Sequence, residues 1–165
     1  MGKVYRFQLL GYPGTISRSV DDVVVPMANA DTKDIAFGQP VFLNEAGNGV
    51  VGISESSTAD RFVGFAVRSG AKTPPVYDDP DGNGANSQAV YHKGEMMDVL
   101  TRGSIVIGCA GSNPKPGMPV YLLKEYGTAS PVAVDQALAV PGIYFRSGRD
   151  PEGRVEVVIT ERHIQ

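Results

Sequence analysis

The segment Gly38-Gln39-Pro40-Val41-Phe42-Leu43 has a second copy in the chain, Gly117-Met118-Pro119-Val120-Tyr121-Leu122. In each copy a glycine allows a tight turn, and a proline two residues later fixes φ and lacks an amide donor. This combination is typical of the start of a β-strand, at a position where no ladder hydrogen bond is required. The repeated segment therefore predicts two matching strands.

Two further signatures follow each copy in the same order. The first is a glycine that leads into Arg-Ser-Gly, and the second is a glycine followed by a short aliphatic run that ends in threonine. They occupy residues 64–70 and 94–101 in the first copy, and residues 142–148 and 153–160 in the second. Self-similarity in a fixed order is the mark of internal duplication. The chain is therefore predicted to contain two related β units.

The rest of the chain has the composition of a β protein. Its 20 glycines and 12 prolines separate short runs rich in branched and aromatic residues, and no long segment keeps the apolar spacing of an amphipathic helix. About eight such runs are present, which is a usual number for a sandwich or a barrel. They are residues 23–25, 40–43, 62–68, 95–101, 104–109, 120–124, 142–146 and 154–160. The predicted fold class is all-β.

The repeats divide the chain into three parts. We predict an extended N-terminal arm over residues 1–25, a first β unit over residues 26–110 and a second β unit over residues 111–165. The first unit contains a long loop, residues 71–93, where the second unit has only a short turn. A chain of 165 residues is long enough to bury a core, and we expect the two units to share one core as a single domain.

The composition argues against several classes of protein. Hydrophobic residues make up 42% and charged residues 20% of the chain, as in soluble globular proteins. A net charge of −3 and a pI near 5.3 argue against a nucleic-acid-binding protein, which usually has a clustered basic excess. Residues 1–10 contain Lys3, Arg6 and Gln8 without an uninterrupted apolar run, so they predict neither a signal peptide nor a membrane helix. We expect no nucleic-acid partner and no membrane association.

The N-terminal arm is distinctive because residues 1–19 carry three basic side chains, several aromatic ones and no acidic one. Three positive charges are too few for a groove that binds single-stranded nucleic acid. Aromatic and arginine side chains are typical anchors of protein interfaces. We therefore expect the arm to lie against the body of the protein or against a neighbouring acidic surface. The contact candidates in the arm are Tyr5, Arg6, Phe7, Tyr12 and Arg18.

The long loop is the second candidate for a contact, since loops of this length are commonly functional. Its contact candidates are Tyr77, Asp79 and Asp81. Residues 79–84 read Asp-Pro-Asp-Gly-Asn-Gly, like the beginning of a calcium loop, but the twelfth position is Val90 instead of a bidentate glutamate. No helical pattern flanks the loop. A solvated acidic turn is therefore favoured over a calcium site.

The chain has no recognisable catalytic or cofactor site. Its two histidines, His92 and His163, lie beside no recognised nucleophile and lack the spacing of a zinc-binding helix. Cys109 is a lone thiol in an apolar run, where a buried structural role is expected. The glycine-rich stretches match neither a phosphate loop nor a dinucleotide fingerprint. We therefore expect a protein that is not an enzyme and that uses no metal and no cofactor.

The order and spacing of these motifs resemble the structural cement, or decoration, proteins of tailed-bacteriophage heads. The resemblance spans nearly the whole chain, although each motif alone is compatible with an ordinary strand and its turn. It is carried by Tyr12-Pro13-Gly14-Thr15-Ile16-Ser17-Arg18, Phe37-Gly38-Gln39-Pro40-Val41, Val63-Gly64-Phe65-Ala66-Val67-Arg68, residues 97–106, residues 117–122 and Gly153-Arg154-Val155-Glu156-Val157.

The resemblance implies a jelly-roll or barrel-like β protein without catalytic residues. Such a protein would be made in the host cytoplasm and would assemble as a homodimer or homotrimer on the outer surface of the capsid. There it would bind neighbouring major capsid proteins of a tailed phage and clamp them together. The arm and the long loop would carry the capsid or subunit contacts.

Two other functions are compatible with the residues. A receptor- or carbohydrate-binding β module of a phage fibre or appendage would share the all-β composition. Tryptophan is absent, but Tyr77, Tyr91 and Tyr126 are possible stacking platforms for a sugar. A hydrolase on a β scaffold comes third, because no nucleophile, base and orienting group can be named.

Overall fold

Eleven β-strands dominate the described part of the chain. The computed structural model describes residues 10–70 and 90–161, apart from the side chains of residues 19 and 20. The all-β class predicted from the sequence is confirmed. The strands are β1 (Ile16–Ala28), β2 (Ile35–Ala36), β3 (Pro40–Leu43), β4 (Val50–Gly52), β5 (Phe62–Ala66), β6 (Val90–Tyr91), β7 (Met96–Gly108), β8 (Pro119–Leu123), β9 (Ala129–Ser130), β10 (Ala137–Phe145) and β11 (Arg154–Ile159).

Five strands of the first half form a ring of pairings. β1 pairs antiparallel with β7, β7 with β5, β5 with β3, and β3 with β4. The ring closes because Asn29, directly after β1, forms a parallel bridge with Val50 of β4. We call this ring the first barrel. A short ribbon of β2 and β6 accompanies it as a separate two-stranded sheet.

The second half forms a ring of the same kind. β7 pairs with β11, β11 with β10, β10 with β8, and β8 with β9. Cys109, directly after β7, closes this second barrel through a parallel bridge with Ala129 of β9. β7 belongs to both barrels, since Val99 and Leu100 pair with β5 while residues 103–108 pair with β11.

The closing hydrogen bonds of the two barrels correspond. In each barrel the residue after the first strand donates to the residue directly before the last strand, and the next residue donates to the closing strand, all at 2.8 Å. These bonds are Asn29 N to Glu95 O and Ala30 N to Val50 O in the first barrel, and Cys109 N to Gly153 O and Ala110 N to Ala129 O in the second. The same backbone closure therefore occurs in both halves of the sheet.

The repeated glycines have partly different roles. Gly38 and Gly117, which open the repeated segments, both adopt a positive φ, 78° and 87°. In the second signature Gly142 also has a positive φ of 79°, within an irregular stretch of the β8–β10 pairing. Gly64 has no positive φ; a Cβ there would overlap the carbonyl oxygen of Leu100 on the neighbouring strand. The repeated glycine therefore allows a positive φ at Gly142 but a close approach of two strands at Gly64.

Apolar side chains from both units pack in one cluster. It joins residues of β7, β8, β10 and β11 to Phe42, Phe62 and Phe65 of the first barrel. Neighbouring rings among these three phenylalanines meet edge to face, with centroids 5.7 and 5.5 Å apart. A second cluster joins β3, β5 and β7 to the β2–β6 ribbon, where Phe37 meets Tyr91 edge to face. β3 and β5 thus bury both of their faces.

The predicted boundaries between the three parts of the chain, at residues 25 and 110, can be compared with the strands. Residues 16–25 of the predicted arm belong to β1, which is paired with β7 and is therefore part of the sheet. The predicted strands 95–101 and 104–109 are one continuous strand, β7, with Gly103 at a φ of 118° in its middle. The boundary at residue 110 lies just beyond β7. The division of the chain into units stays a prediction.

Candidate functional site

Only two of the eight predicted contact residues lie in the described part of the chain, namely Tyr12 and Arg18. Both belong to the segment that precedes or begins β1. The other six lie outside the described residues. They are Tyr5, Arg6 and Phe7 in the arm, and Tyr77, Asp79 and Asp81 in the long loop.

The N-terminal segment is docked on the body by backbone hydrogen bonds. Gly14 N donates to Val106 O of β7 at 2.8 Å, and Val106 N donates to Thr15 O at 2.9 Å. On the other side Arg68 N donates to Gly14 O at 2.8 Å. Gly14 has a φ of 83°, and a Cβ there would lie only 2.9 Å from Arg68 N and from Phe37 Cβ. The segment thus fits between β7 and the end of β5 only with glycine at this position.

Tyr12 is held between two arginines. The guanidinium carbon of Arg68 lies 4.7 Å from the centre of the Tyr12 ring, and that of Arg154 lies 5.0 Å from it. Arg154 also donates to Gly11 O and pairs with Glu152. Cation–π contacts of this kind hold an aromatic side chain in place while leaving part of it accessible. Tyr12 is 52% exposed, so it combines an anchored ring with a free surface.

Arg18 makes an internal ion pair with a buried carboxylate. Its Nε donates to Glu156 Oε1 at 2.8 Å and its Nη2 donates to Glu156 Oε2 at 3.2 Å. Ser17 Oγ donates to the same Oε1 at 2.9 Å. The Glu156 side chain is 4% exposed and that of Arg18 is 57% exposed. Arg18 therefore fastens the start of β1 to β11, and a role in binding a partner stays a prediction.

A charged cleft of about 440 Å³ lies beside this ion pair, between the irregular part of β1, β7 and β11. Arg102 pairs with Asp21 at 2.5 Å, and Arg146 Nη1 donates to Ser104 Oγ at 2.7 Å, and all four residues line the cleft. Both carboxylate oxygens of Asp22 are buried without a hydrogen-bond partner among the described residues. Oδ1 occupies the space above Gly103, where a Cβ would lie only 2.0 Å from it. The described residues that line the cleft offer charges but no nucleophile next to a base.

The described residues that adjoin the arm and the long loop lie close together, and we call them the roots of these two segments. Gly70, the last described residue before the long loop, lines a hollow of about 270 Å³ with residues 14–16 and 67–68. After the loop, Tyr91 donates its hydroxyl to Val67 O at 2.7 Å. The docked segment at Gly14, which carries the arm, is bonded to the neighbouring Arg68. The structure thus brings both roots to one place beside the end of β5.

The remaining residues singled out by sequence, where the structure describes them, are structural or lie at the surface. Cys109 is buried, as predicted, and burial raises the pKa of its thiol. His92 is exposed and lies 3.1 Å from Asp34, whereas His163 is outside the described residues. Tyr91 is 2% exposed, so its proposed use as a stacking platform is wrong. Tyr126 is 63% exposed.

Within residues 10–70 and 90–161 no group of three or more histidine, cysteine or acidic side chains is arranged to hold a metal ion. The calcium-like residues 79–84 lie outside these ranges. Over the same ranges, no helix has the length and apolar character needed to cross a membrane.

Sequence reasoning missed the charged cleft. Its members come from β1, β7, β11 and the residue that follows β10, and they are distant in the chain, so no local motif indicates them. The one available signal was the doubled aspartate at residues 21–22 in the middle of an apolar strand pattern, which marks the irregularity in β1.

One family model and two solved structures are similar to this chain. The family model described as structural cement protein (E217 gp24/Pam3 gp6) matches residues 2–160. A chain from the capsid of Myoviridae phage XM1 is 16% identical, with 97% of this chain and 96% of that chain covered and a TM-score of 0.75, so the two share a fold. The N-terminal base of head fibre gp8.5 of bacteriophage phi29 is 14% identical, with 87% and 99% covered and a TM-score of 0.43. No curated protein matches the chain.

Proposed function

The chain belongs to the phage structural cement protein family, and from this premise we propose that it binds the outer surface of a tailed-phage capsid and cements neighbouring major capsid proteins. Family membership establishes the broader role, a structural protein of the phage virion that binds capsid proteins. We propose in addition that the protein lies on the outer surface, that it clamps neighbouring capsid proteins together, and that it has no enzymatic activity. The observation that carries it is the family match over residues 2–160, nearly the whole chain.

A cement protein acts through linkage. A protein that binds the assembled shell and not its separated subunits shifts the equilibrium towards the shell. Each contact can be modest, because a shell offers many equivalent sites and an oligomer occupies several of them at once. We propose that the chain acts as a homodimer or homotrimer, made in the host cytoplasm, since a symmetric oligomer presents the same surface to several capsid subunits.

We propose that the face bearing the roots of the arm and the long loop meets the capsid. The anchored, half-exposed ring of Tyr12 supports this choice, because tyrosine and arginine are enriched at protein interfaces. Docking of Gly14 and Thr15 by backbone bonds also supports it, since a fixed root limits the entropy that an arm loses on binding. We expect no part for nucleic acid or membrane in this contact.

The proposal is tested by adding the purified protein to capsids that lack it. Expanded and unexpanded shells are incubated with the protein, pelleted, and heated while their disruption is followed by light scattering. We expect saturable binding to one or both shell forms and a higher disruption temperature for the shells that bind it. Failure to bind both forms would contradict the proposal.

The contribution of the arm is tested by deleting residues 1–9. This deletion spares residues 11–15 and the Arg18–Glu156 pair, so the fold should persist. We expect weaker binding to capsids, because the deleted stretch carries Tyr5, Arg6 and Phe7. Deletion of residues 162–165 at the other end of the chain is the matched control. Unchanged occupancy after the N-terminal deletion would place the contact elsewhere.

A further inference from the structure

The second barrel carries exposed apolar side chains on two neighbouring loops, and we call this group the apolar tip. It consists of Tyr126 in the turn between β8 and β9, and Val132, Ala133 and Val134 in the loop between β9 and β10. Tyr126 is 63% exposed, Val132 52% and Val134 50%. Two half-exposed valines on either side of an exposed alanine, together with a tyrosine, are more than the scattered apolar side chains of an ordinary surface.

The first barrel has the same loop with a different surface. The bridge between Asn29 and Val50 corresponds to the bridge between Cys109 and Ala129, so residues 53–57 correspond to residues 132–136. In the first barrel this loop reads Ile53-Ser54-Glu55-Ser56-Ser57, and its serine hydroxyls bond one another. The second barrel has Val132-Ala133-Val134-Asp135-Gln136 instead. The fold therefore does not demand exposed valines at this position.

The tip is held in place by contacts that leave its apolar side chains free. Lys124 N donates to Gln136 O at 2.9 Å, which ties the turn to the loop. Lys124 Nζ reaches Glu55 O of the first barrel at 2.7 Å. Ser130 Oγ bonds both the N and the O of Val132, at 3.2 and 3.0 Å. A preorganised apolar surface loses little entropy when a partner covers it.

The charges around the tip are mainly acidic. Glu55, Glu125 and Asp135 are exposed beside its loops, and Lys124 is directed to the Glu55 carbonyl. A second copy placed tip to tip would bring these carboxylates close to their equivalents, which costs energy. The complementary partner is an apolar patch bordered by lysine or arginine side chains. Its apolar centre would cover the valines, and its basic rim would face the carboxylates around the tip.

We infer that the apolar tip is a capsid-binding surface, separate from the arm and the long loop, that seats on an apolar patch with a basic rim on a capsid protein. This inference rests on the proposed function and names a contact for it. The second barrel then supplies one contact and the root face at the end of β5 supplies another. Two separated contacts on one molecule are what a clamp between neighbouring subunits requires.

The test compares two double variants in the capsid-binding assay. Val132→Asp/Val134→Asp adds two charges to the tip, and Ala46→Asp/Ser56→Asp adds two charges to the exposed, equivalent turn and loop of the first barrel. All four positions are exposed, so both variants should fold. We expect the tip variant to lose affinity for capsids at least about tenfold, because a buried unpaired charge abolishes an apolar contact. The control should bind like the wild type.

Charge reversal gives a second readout. Glu125→Lys/Asp135→Lys leaves the valines intact but gives the tip a basic border, and we expect a reduced affinity for capsids that is partly restored by salt. An unchanged affinity of this variant would contradict a basic rim on the partner.

The outcomes separate the inference from the proposed function. If the wild type binds and the tip variant binds equally well, the tip inference is wrong while the proposed function stands. If the wild type binds no shell, the proposed function fails and the inference fails with it. If the tip variant changes the mass of the protein in analytical ultracentrifugation, the tip binds a second copy and the inferred partner is wrong.

Discussion

At the scale of single residues, the N-terminal segment depends on a few side chains that meet across long distances in the chain. Glu156 on β11 receives three hydrogen bonds from Ser17 and Arg18. Gly14 leaves the space that the backbone of Arg68 and the side chain of Phe37 require. Each of these residues can be tested against a matched position that lacks the same constraint.

Replacing the buried carboxylate should cost more than replacing an exposed one. Glu156→Gln removes a charge that is 4% exposed and holds a bidentate arginine, so we expect a loss of about 1–2 kcal/mol of unfolding free energy. Asp21→Asn breaks an exposed pair with Arg102 and should change stability by less than about 0.5 kcal/mol. Urea unfolding followed by circular dichroism measures both. Equal effects of the two substitutions would contradict the assigned role of Glu156.

Gly14 and Gly111 form a second matched pair. Both have a positive φ, 83° and 81°, but no atom of the described residues lies within 4 Å of a Cβ at Gly111. Gly111→Ala should therefore cost only the conformational strain, about 1 kcal/mol. Gly14→Ala adds a steric clash with the backbone, for which we expect a further loss of about 1–3 kcal/mol. Thermal unfolding of the two variants compares them directly, and equal melting temperatures would show that the docked segment is not tightly packed.

At the scale of elements, the strands are matched pairs in two barrels, and the differences between them lie in the connections. The first barrel has the β2–β6 ribbon and the long loop, and the second has the apolar tip. β7 is the last strand of one ring and the first strand of the other. Binding residues are commonly found in such connections, because loops can differ while the strands that hold them stay the same.

The equivalence of the two loops predicts that one can replace the other. Replacing Val132-Ala133-Val134 by the corresponding Ile53-Ser54-Glu55 keeps the length of the loop between equivalent strands. We expect the graft to fold with a melting temperature within a few degrees of the wild type, because surface changes away from the core usually cost little. Loss of the cooperative transition in calorimetry would show that the tip residues are needed for folding.

The sequence predicted the elements better than their assembly. The strand predicted over residues 40–43 has the observed bounds of β3. Its start could be predicted because a proline shortly after a glycine is a local signal for the beginning of a strand. The ring closures at Asn29–Val50 and Cys109–Ala129 had no such signal, since a bridge between distant residues depends on the curvature of the whole sheet. Residues 95–101 and 104–109 are predicted as separate strands, whereas the positive φ of Gly103 is accommodated within one continuous strand, β7.

The site was predicted only in part for the same reason. Aromatic and basic residues identified the arm, and loop length identified the second segment, because both are local properties of the chain. The meeting of their roots beside the end of β5 depends on the tertiary position of Gly14 and Gly70. The charged cleft depends on the β7–β11 pairing, which places Ser104 opposite Val158. Long-range pairing of this kind cannot be read from spacing alone.

At the scale of the whole molecule, the two barrels should unfold together. They share β7, and one apolar cluster contains side chains of both. We therefore expect a single transition in urea when circular dichroism and alkylation of the buried Cys109 are followed in parallel. A fragment of residues 111–165 lacks β7 and should remain unfolded by circular dichroism. A folded fragment, or two separate transitions, would contradict the shared architecture.

The measurement that tests the central claim most directly is an electron cryomicroscopy map of the capsid decorated with this protein. The account predicts density for the two-barrel molecule on the outer surface, across the boundary between neighbouring major capsid proteins. The root face beside the end of β5 and the apolar tip should each touch a capsid protein. Density confined to a single capsid subunit, to the inner surface or to a fibre would contradict the claim that the protein cements the shell.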